Sequence, residues 1–308
     1  MYQIGVDIGG TNIKIGLVDD ALEIVERRSI RFPHDGPQSV ADKLAEAIRE
    51  VLTAAQVPET VLQSIGIVVP GSIDPTGEIV INAYNLGFHD VPFKKLMEAH
   101  FPNVPVLMAN DANGAALAEL YKGAFAGCRT AVLFTLGTGL GGGIILNGKM
   151  FNGGMNHGVE LGHAYLVDEG EACTCGNRGC VESYCAASAL ARDGARAMQD
   201  DPSGMMMEKT GGNAALVDAK LVVDCAKAGD VTAKRVFDAY VGRLSSACAS
   251  IFNTLDPEVL AIGGGLCGAG EFLFAPVLRE GVDAYIHRST GGLAPGYDCA
   301  ARSGCGLP

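Results

Sequence analysis

Residues 3–20 read QIGVDIGGTNIKIGLVDD, and residues 134–148 read FTLGTGLGGGIILNG. Both set apolar runs on either side of a turn built from glycine and threonine. Alternating apolar positions mark the flanking runs as strands, so each stretch predicts a strand, a glycine turn and a returning strand. The first turn is Asp7-Ile8-Gly9-Gly10-Thr11-Asn12, and the second is Gly137-Thr138-Gly139-Leu140-Gly141-Gly142-Gly143. Recurrence of one pattern within a chain predicts two related halves. Their join falls inside the Ala-rich stretch near residues 112–125.

Working outward, EIVERRSIRF (23–32) extends the first hairpin by a third strand. Residues 37–55 carry apolar side chains at helical spacing, with Ser39 as the expected N-cap. SIGIVVPGSID (64–74) is a buried strand closed by a Pro-Gly turn, and VPFKKLMEAHF (91–101) a short amphipathic helix. VPVLMANDANGAALAEL (104–120) is a strand that turns at Asn110-Asp111 into the Ala-rich helix. Helices are expected over 186–198, 213–228, 231–253 and 271–287, with a last strand and glycine turn in EVLAIGGGLCGAG (258–270). The Met-rich run 205–213 is the best candidate for a flexible loop, its methionines serving local packing.

The chain has 308 residues, 48% hydrophobic and 19% charged, with a net charge of −12. That composition excludes a disordered chain. An excess of Asp and Glu over Lys and Arg argues against nucleic-acid binding, which needs a cationic surface. The opening MYQIGVDIGG shows no basic and apolar leader pattern, and no run of about 20 apolar residues exists to span a membrane. The expected location is therefore cytoplasmic.

Glycines at a hairpin tip bring backbone N–H groups close to an anion without interference from a Cβ. Thr11 and Asn12 add side-chain donors, and Asp7 at the strand end is suited to hold Mg²⁺ through water. Two superficially similar motifs fail. Gly137, Gly139 and Gly142 form a G-x-G-x-x-G with Glu160 downstream, but the dinucleotide fingerprint needs a helix after the glycines, and a β-branched strand follows here. Gly143 to Lys149 fits G-x-x-x-x-G-K, but Met150 stands where Ser or Thr would hold Mg²⁺. Gly263-Gly264-Gly265 ends a strand and suits either a nucleotide face or a plain turn. Asn110-Asp111 reads in two ways: a carboxylate placed as general base for a hydroxyl, or a helix N-cap.

The most specific signal is Glu160-Leu-Gly-His163 followed by Cys173-x-Cys175 and Cys180-x-Glu182. Three thiolates and one imidazole make a closed tetrahedral Zn²⁺ set of the structural kind. Cys185 is a rival ligand, and free buried cysteines are the other reading. Because an imidazole has two nitrogens, His163 can bind zinc with one and meet a ligand with the other.

Taken together, these motifs resemble those of the ROK family of bacterial sugar kinases, especially its glucokinase branch. The resemblance covers nearly the whole chain through DIGGTN, PGSID, NLG (85–87), NDAN, LGTGLGGG, ELGH, CTCGNRGCVE and NTLDPEVLAIGGG, in the family's order. It implies the α/β actin-like ATPase (ribonuclease H-like) fold. The expected division is a domain over 1–115 and a larger one over 116–308 carrying the zinc knuckle, with a central cleft. The resemblance further implies ATP with Mg²⁺ at Asp7, Gly9, Gly10, Thr11, Asn12, Lys14, Gly137, Thr138 and Gly139, with Gly264 and Gly265 near the adenosine. It implies a hexose contacted by Gly71, Asn85, Asn110, Asp111, Glu160, His163 and Glu182, Asp111 acting as the base. Zn²⁺ would sit on His163, Cys173, Cys175 and Cys180. A homodimer rests on the resemblance alone.

Glucose phosphorylated at its 6-hydroxyl is the first expectation. N-acetylglucosamine, N-acetylmannosamine, fructose and allose are the alternatives, and an inactive zinc-stabilised sugar binder is another. A sugar-sensing repressor of the same family is disfavoured, since the chain starts at its first strand and carries a net charge of −12. One departure stands out: where the family has a closing Gly- and Ala-rich helix this sequence reads GLAPGYDCAARSGCGLP (292–308), so that helix is expected to be missing, shortened or truncated.

Overall fold

A computed structural model describes residues 1–154 and 158–277. They fall into two compact units: the first from Met1 to Leu117 with described residues of 152–158, the second from Ala118 to Phe151 with the described residues from Val159 onward.

The first unit opens with β1 (Tyr2–Ile8), β2 (Asn12–Asp19) and β3 (Ile24–Arg31), followed by α1 (Pro37–Ala54) and β4 (Leu62–Val69). Then come β5 (Ser72–Ile73), β6 (Val80–Ala83), β7 (Phe88–Val91), α2 (Phe93–His100), β8 (Val106–Asn110) and the start of α3 (Asp111–Lys122). The main sheet has the order β3-β2-β1-β4-β8. The register of the first hairpin pairs Ile4 with Leu17, Val6 with Ile15 and Ile8 with Ile13. All six are buried, so one face of the hairpin is a continuous apolar surface. A slip by one residue would expose the set, which is why this register is strongly specified. Opposite-face pairs are Gly5 with Gly16 and Asp7 with Lys14. Helix α1 covers the sheet with Val40, Leu44, Ala45, Ile48, Val51 and Leu52, a stripe at helical spacing. Each large aliphatic among them contributes about 1.5–3 kcal/mol on burial.

The second unit contains β9 (Ala131–Leu136), β10 (Leu140–Leu146), β11 (Lys149–Met150), α4 (Glu182–Cys185), α5 (Ala187–Gln199) and α6 (Met205–Thr210). It continues with α7 (Ala219–Lys227), α8 (Val231–Leu255), β12 (Val259–Gly263) and α9 (Glu271–Pro276). Its sheet has the order β11-β10-β9-β12. Strand β10 is antiparallel to β9, and β12 is parallel to it. In the first unit β2 is antiparallel to β1, and β4 is parallel to it. The same strand topology thus occurs twice, once around each glycine turn. Strands β9 and β12 are buried nearly throughout, as a parallel pair covered on both faces must be. Phe134, Val222, Phe237, Leu244 and Ile262 join the sheet to α7 and α8 in one core.

Three local expectations change. Helix α1 begins at Pro37 with Gly36 as its N-cap, so Ser39 lies inside the helix. Proline at the first helical position has no N–H to leave unpaired, and Gly36 takes the positive φ of 100° that precedes it. Residues 205–210 are helical rather than a loop. Met206 is buried, the Thr210 hydroxyl donates to its carbonyl at 2.8 Å, and Asp230 accepts the Met205 amide at 2.7 Å. The stretch expected as one helix over 213–228 is a short 3-10 turn, Ala214–Leu216, and then α7, which Asp218 caps by accepting the Leu221 amide. The expected helix 271–287 is seen as α9; its continuation, and the departure at 292–308, lie outside the described residues. No described helix is long and apolar enough to cross a membrane.

Candidate functional site

In the first unit the turn joining β1 to β2 is closed by the Gly9 amide donating to the Asn12 carbonyl at 2.9 Å. Gly10 packs against another expected site residue: a Cβ there would stand 3.1 Å from the Asn85 carbonyl oxygen. Asn85 sits exposed in the 3-10 turn Tyr84–Leu86. Asp7 and Lys14, paired across the hairpin, form an ion pair at 3.6 Å. Thr11, Asn12 and Lys14 are exposed, and Asp7 is half-buried. The turn therefore presents its polar side chains and leaves Ile8 and Ile13 in the core.

Asn110 and Asp111 stand where β8 passes into α3. Both side chains bond the first turn of α3. Asn110 does the capping: its Oδ1 accepts the Ala112 amide at 2.9 Å, and its Nδ2 donates to the Gly71 carbonyl at 3.1 Å. Gly71 is required there, because a Cβ would collide with the Asn82 carbonyl. Asp111 begins the helix as an exposed residue, with Oδ1 accepting the Ala112 amide at 2.8 Å. Its carboxylate is thus fixed at a strand end while remaining accessible.

In the second unit the Gly137 amide donates to the Gly139 carbonyl at 3.0 Å, and the Gly137 carbonyl accepts the Ala187 amide at 2.8 Å. The glycine turn is thereby joined to the start of α5. Thr138 is exposed at its tip. Gly264 has φ 95° and its backbone lies against Leu136; a Cβ there would stand 2.7 Å from the Leu136 amide nitrogen and carbonyl carbon. Gly265, exposed, begins the short helix that follows.

Glu160 is exposed and precedes the 3-10 turn Leu161–His163, its carbonyl accepting the His163 amide at 3.0 Å. One ligand atom from each of His163, Cys173, Cys175 and Cys180 lies within 4.8 Å of the others. His163 Nδ1 is 3.5 Å from Cys173 Sγ, and Cys175 Sγ is 3.7 Å from Cys180 Sγ. Ligands of a tetrahedral zinc ion, at about 2.3 Å for sulfur and about 2.0 Å for nitrogen, stand about 3.8 Å apart (S to S) and about 3.6 Å apart (N to S). The donor set and its spacings fit zinc. The Asn177 amide holds the Cys175 thiol below its usual pKa, whereas burial pushes Cys180 up to about 12. Cys185, the rival ligand, points elsewhere. It is fully buried in the helical core, and that burial raises its thiol to about 12.

Glu182 is placed by α4, directly after the cysteine knuckle. Its Oε2 accepts the Leu140 amide at 3.0 Å and its Oε1 accepts the Thr174 hydroxyl at 3.0 Å. Sequence reasoning did not single out Thr174. Its position between two cysteines was the available signal, but a hydroxyl reaching a carboxylate eight residues on is visible only once the knuckle is folded.

The family model described as ROK family matches residues 3–293. A glucokinase of Halalkalibacterium halodurans is 35% identical over 289 residues, covering 92% of this chain and 86% of that protein. A glucokinase of Thermotoga maritima is 36% identical over 285 residues, covering 92% and 87%. Among solved structures, a ROK family glucokinase from Streptomyces griseus in complex with glucose and AMPPNP superimposes with a TM-score of 0.81 at 28% identity. The match covers 98% of this chain and 95% of that one. The duplicated sheet topology is thus that of the actin-like ATPase fold. With its motifs, its fold and these relatives in agreement over most of its length, the chain belongs to the ROK family.

Proposed function

We propose that this chain is an ATP-dependent hexose kinase that phosphorylates the 6-hydroxyl of glucose. The observation that carries the reading is Asp111, exposed at the end of β8 in a chain sharing its fold with a glucose- and AMPPNP-bound glucokinase. Asp111 accepts the proton of the sugar hydroxyl as that oxygen attacks the γ-phosphorus of ATP. The new bond is the sugar oxygen to phosphorus, the broken one is phosphorus to the bridging oxygen of ADP, and the proton ends on the Asp111 carboxylate.

Phosphoryl transfer depends chiefly on positioning and on stabilising charge. The N–H groups of the two glycine turns suit that task, with Gly9, Gly10, Thr11, Asn12 and Lys14 in one and Gly137, Thr138 and Gly139 in the other. Gly264 and Gly265 serve the adenosine. Asp7 is the residue that would hold Mg²⁺ through water, and that ion supplies charge neutralisation on the phosphates when bound. Gly71, Asn85, Asn110, Glu160, His163 and Glu182 contact the hexose. Anchoring of Asn110 to Gly71 and of His163 to the cysteine side supports this reading, because both fix a polar group without consuming all of its hydrogen-bonding capacity. His163 directs Nδ1 to Cys173 and keeps Nε2 for a sugar hydroxyl.

Zinc held by His163, Cys173, Cys175 and Cys180 supplies a structural brace for that segment. The chain acts in the cytoplasm as a homodimer. It uses neither nucleic acid nor membrane as partner.

The test is ADP release with Mg-ATP and a panel of hexoses at equal concentration: glucose, N-acetylglucosamine, N-acetylmannosamine, fructose, allose and a no-sugar control. Glucose exceeding the others supports the full reading. Another hexose in front overturns the substrate assignment, and no rate above the control overturns the kinase assignment.

A further inference from the structure

Glu182 is bonded to two segments that are far from each other in sequence. Its Oε2 accepts the main-chain N–H of Leu140 at 3.0 Å, at the exit of the glycine turn 137–139. Its Oε1 accepts the Thr174 hydroxyl at 3.0 Å and lies 3.8 Å from the Cys173 thiol. The start of α4 that carries it is anchored, since its neighbours Val181, Ser183 and Cys185 are buried. The glycine turn lies close against the carboxylate. A Cβ on Gly139 would stand 2.5 Å from Glu182 Oε2, inside van der Waals contact. A side chain at 139 would therefore require the Glu182 carboxylate to shift.

We propose that Glu182 is a positioning residue for the turn 137–139 and that Thr174 is a positioning residue for Glu182. The carboxylate ties the amide of Leu140 to the cysteine knuckle, so that the turn is ordered before any ligand arrives. A carboxylate has about four acceptor sites, so Glu182 receives a sugar hydroxyl while keeping the Leu140 amide and the Thr174 hydroxyl. The same side chain then serves the sugar and orders the nucleotide turn. Of the two residues, Thr174 separates the roles best, since it is exposed and touches neither ligand in the proposed reading. The inference about nucleotide rests on the kinase assignment; the inference about order in the turn does not.

The experiment uses the full chain with its metal content verified, and compares Thr174→Val, Thr174→Ser and Glu182→Ala with the unaltered protein. Two quantities are read: amide hydrogen exchange across 137–141 without ligands, and affinity for Mg-AMPPNP without sugar. A hydrogen bond to a charged acceptor commonly accounts for about tenfold or more in such equilibria. Thr174→Val is expected to speed exchange at Leu140 and weaken Mg-AMPPNP by about tenfold each, with the metal retained. Thr174→Ser, which restores the hydroxyl, is expected to restore both.

Unchanged exchange at Leu140 in both Thr174→Val and Glu182→Ala overturns the proposal. Faster exchange with unchanged Mg-AMPPNP affinity overturns the link from turn to nucleotide. Should the unaltered protein bind no Mg-AMPPNP without sugar, the link from turn to nucleotide falls, and the exchange comparison still decides the positioning role. If Glu182→Ala does not fold, Thr174→Val decides alone.

Discussion

The Asn110 side chain donates to the Gly71 carbonyl at 3.1 Å while its Oδ1 caps α3 through the Ala112 amide at 2.9 Å. Asn110 thus caps α3, and the neighbouring Asp111, exposed, accepts the same Ala112 amide through Oδ1 at 2.8 Å. Asp111→Asn keeps the side-chain shape and one acceptor oxygen but removes the base. It is expected to leave glucose binding within about twofold and to lower kcat by about 10²–10⁴, the usual contribution of a positioned base. Calorimetric sugar binding and steady-state kinetics on one preparation check it, and unchanged kcat would remove Asp111 from the mechanism.

The spacings of 3.5 Å and 3.7 Å within the His163, Cys173, Cys175 and Cys180 set fit one tetrahedral ion. Protein purified without added metal is expected to hold about one zinc per chain. Cys175→Ala is expected to lose it and to melt at lower temperature, whereas Cys185→Ala keeps it. Elemental analysis alongside thermal melts makes the comparison. Metal-free protein of full stability would refute the site.

Gly162 is pressed against the Leu140 carbonyl, and Gly142 against Leu161, where a Cβ would meet Cδ1 at 2.6 Å and the Leu133 carbonyl at 2.7 Å. Backbone atoms on the receiving side cannot move aside as a flexible side chain would. Gly162→Ala is expected to cost about 1–3 kcal/mol, the range for overpacking. It is also expected to weaken sugar binding by displacing the turn that carries Glu160 and His163. Urea denaturation gives the first quantity and calorimetry the second; a variant as stable as the unaltered chain would show that the contact relaxes freely.

Asp74 accepts the amides of Thr76, Glu78 and Ile79 at 3.1, 2.7 and 2.7 Å, and the Thr76 hydroxyl. Burial raises its pKa, but the Thr76 hydroxyl and the three amides outweigh burial and hold the carboxyl at about 2. A group whose folded pKa lies below its unfolded value of about 3.9 stabilises the fold above that value. The contribution is lost as pH falls through about 2. Asp74→Asn is therefore expected to flatten the acid limb of the stability curve between about pH 4 and about 2. Denaturation midpoints across that window test this, and identical slopes for the two proteins would count against it.

Much of the fold was legible because its signals are local. Ile4, Val6 and Ile8 alternate in β1, and Ile13, Ile15 and Leu17 in β2, so the hairpin and its buried face follow from a period of two around Gly9-Gly10. Cys173, Cys175 and Cys180 are close in the chain and close in space for the same reason. Two stretches differ from the local pattern, one through a distant bond and one through the backbone conformation of a single glycine. Residues 205–210 form α6 because Asp230 accepts the Met205 amide and the core receives Met206. Helix α1 starts at Pro37 because Gly36 accommodates a positive φ that local polarity at Ser39 does not reveal.

From sequence alone came the duplicated strand–glycine turn–strand pattern, the thiolate-rich knuckle and the carboxylate after β8, because each depends on residue types at short spacing. Tertiary structure decided which of two adjacent residues caps α3, why His163 and not Cys185 joins the cysteines, and that Glu182 reaches back to Leu140. These depend on contacts between residues remote in the chain. Such contacts are selected by packing of the whole unit, where Cys185 is drawn into the apolar core and the polar Glu182 is left to find its partners at the edge of the glycine turn.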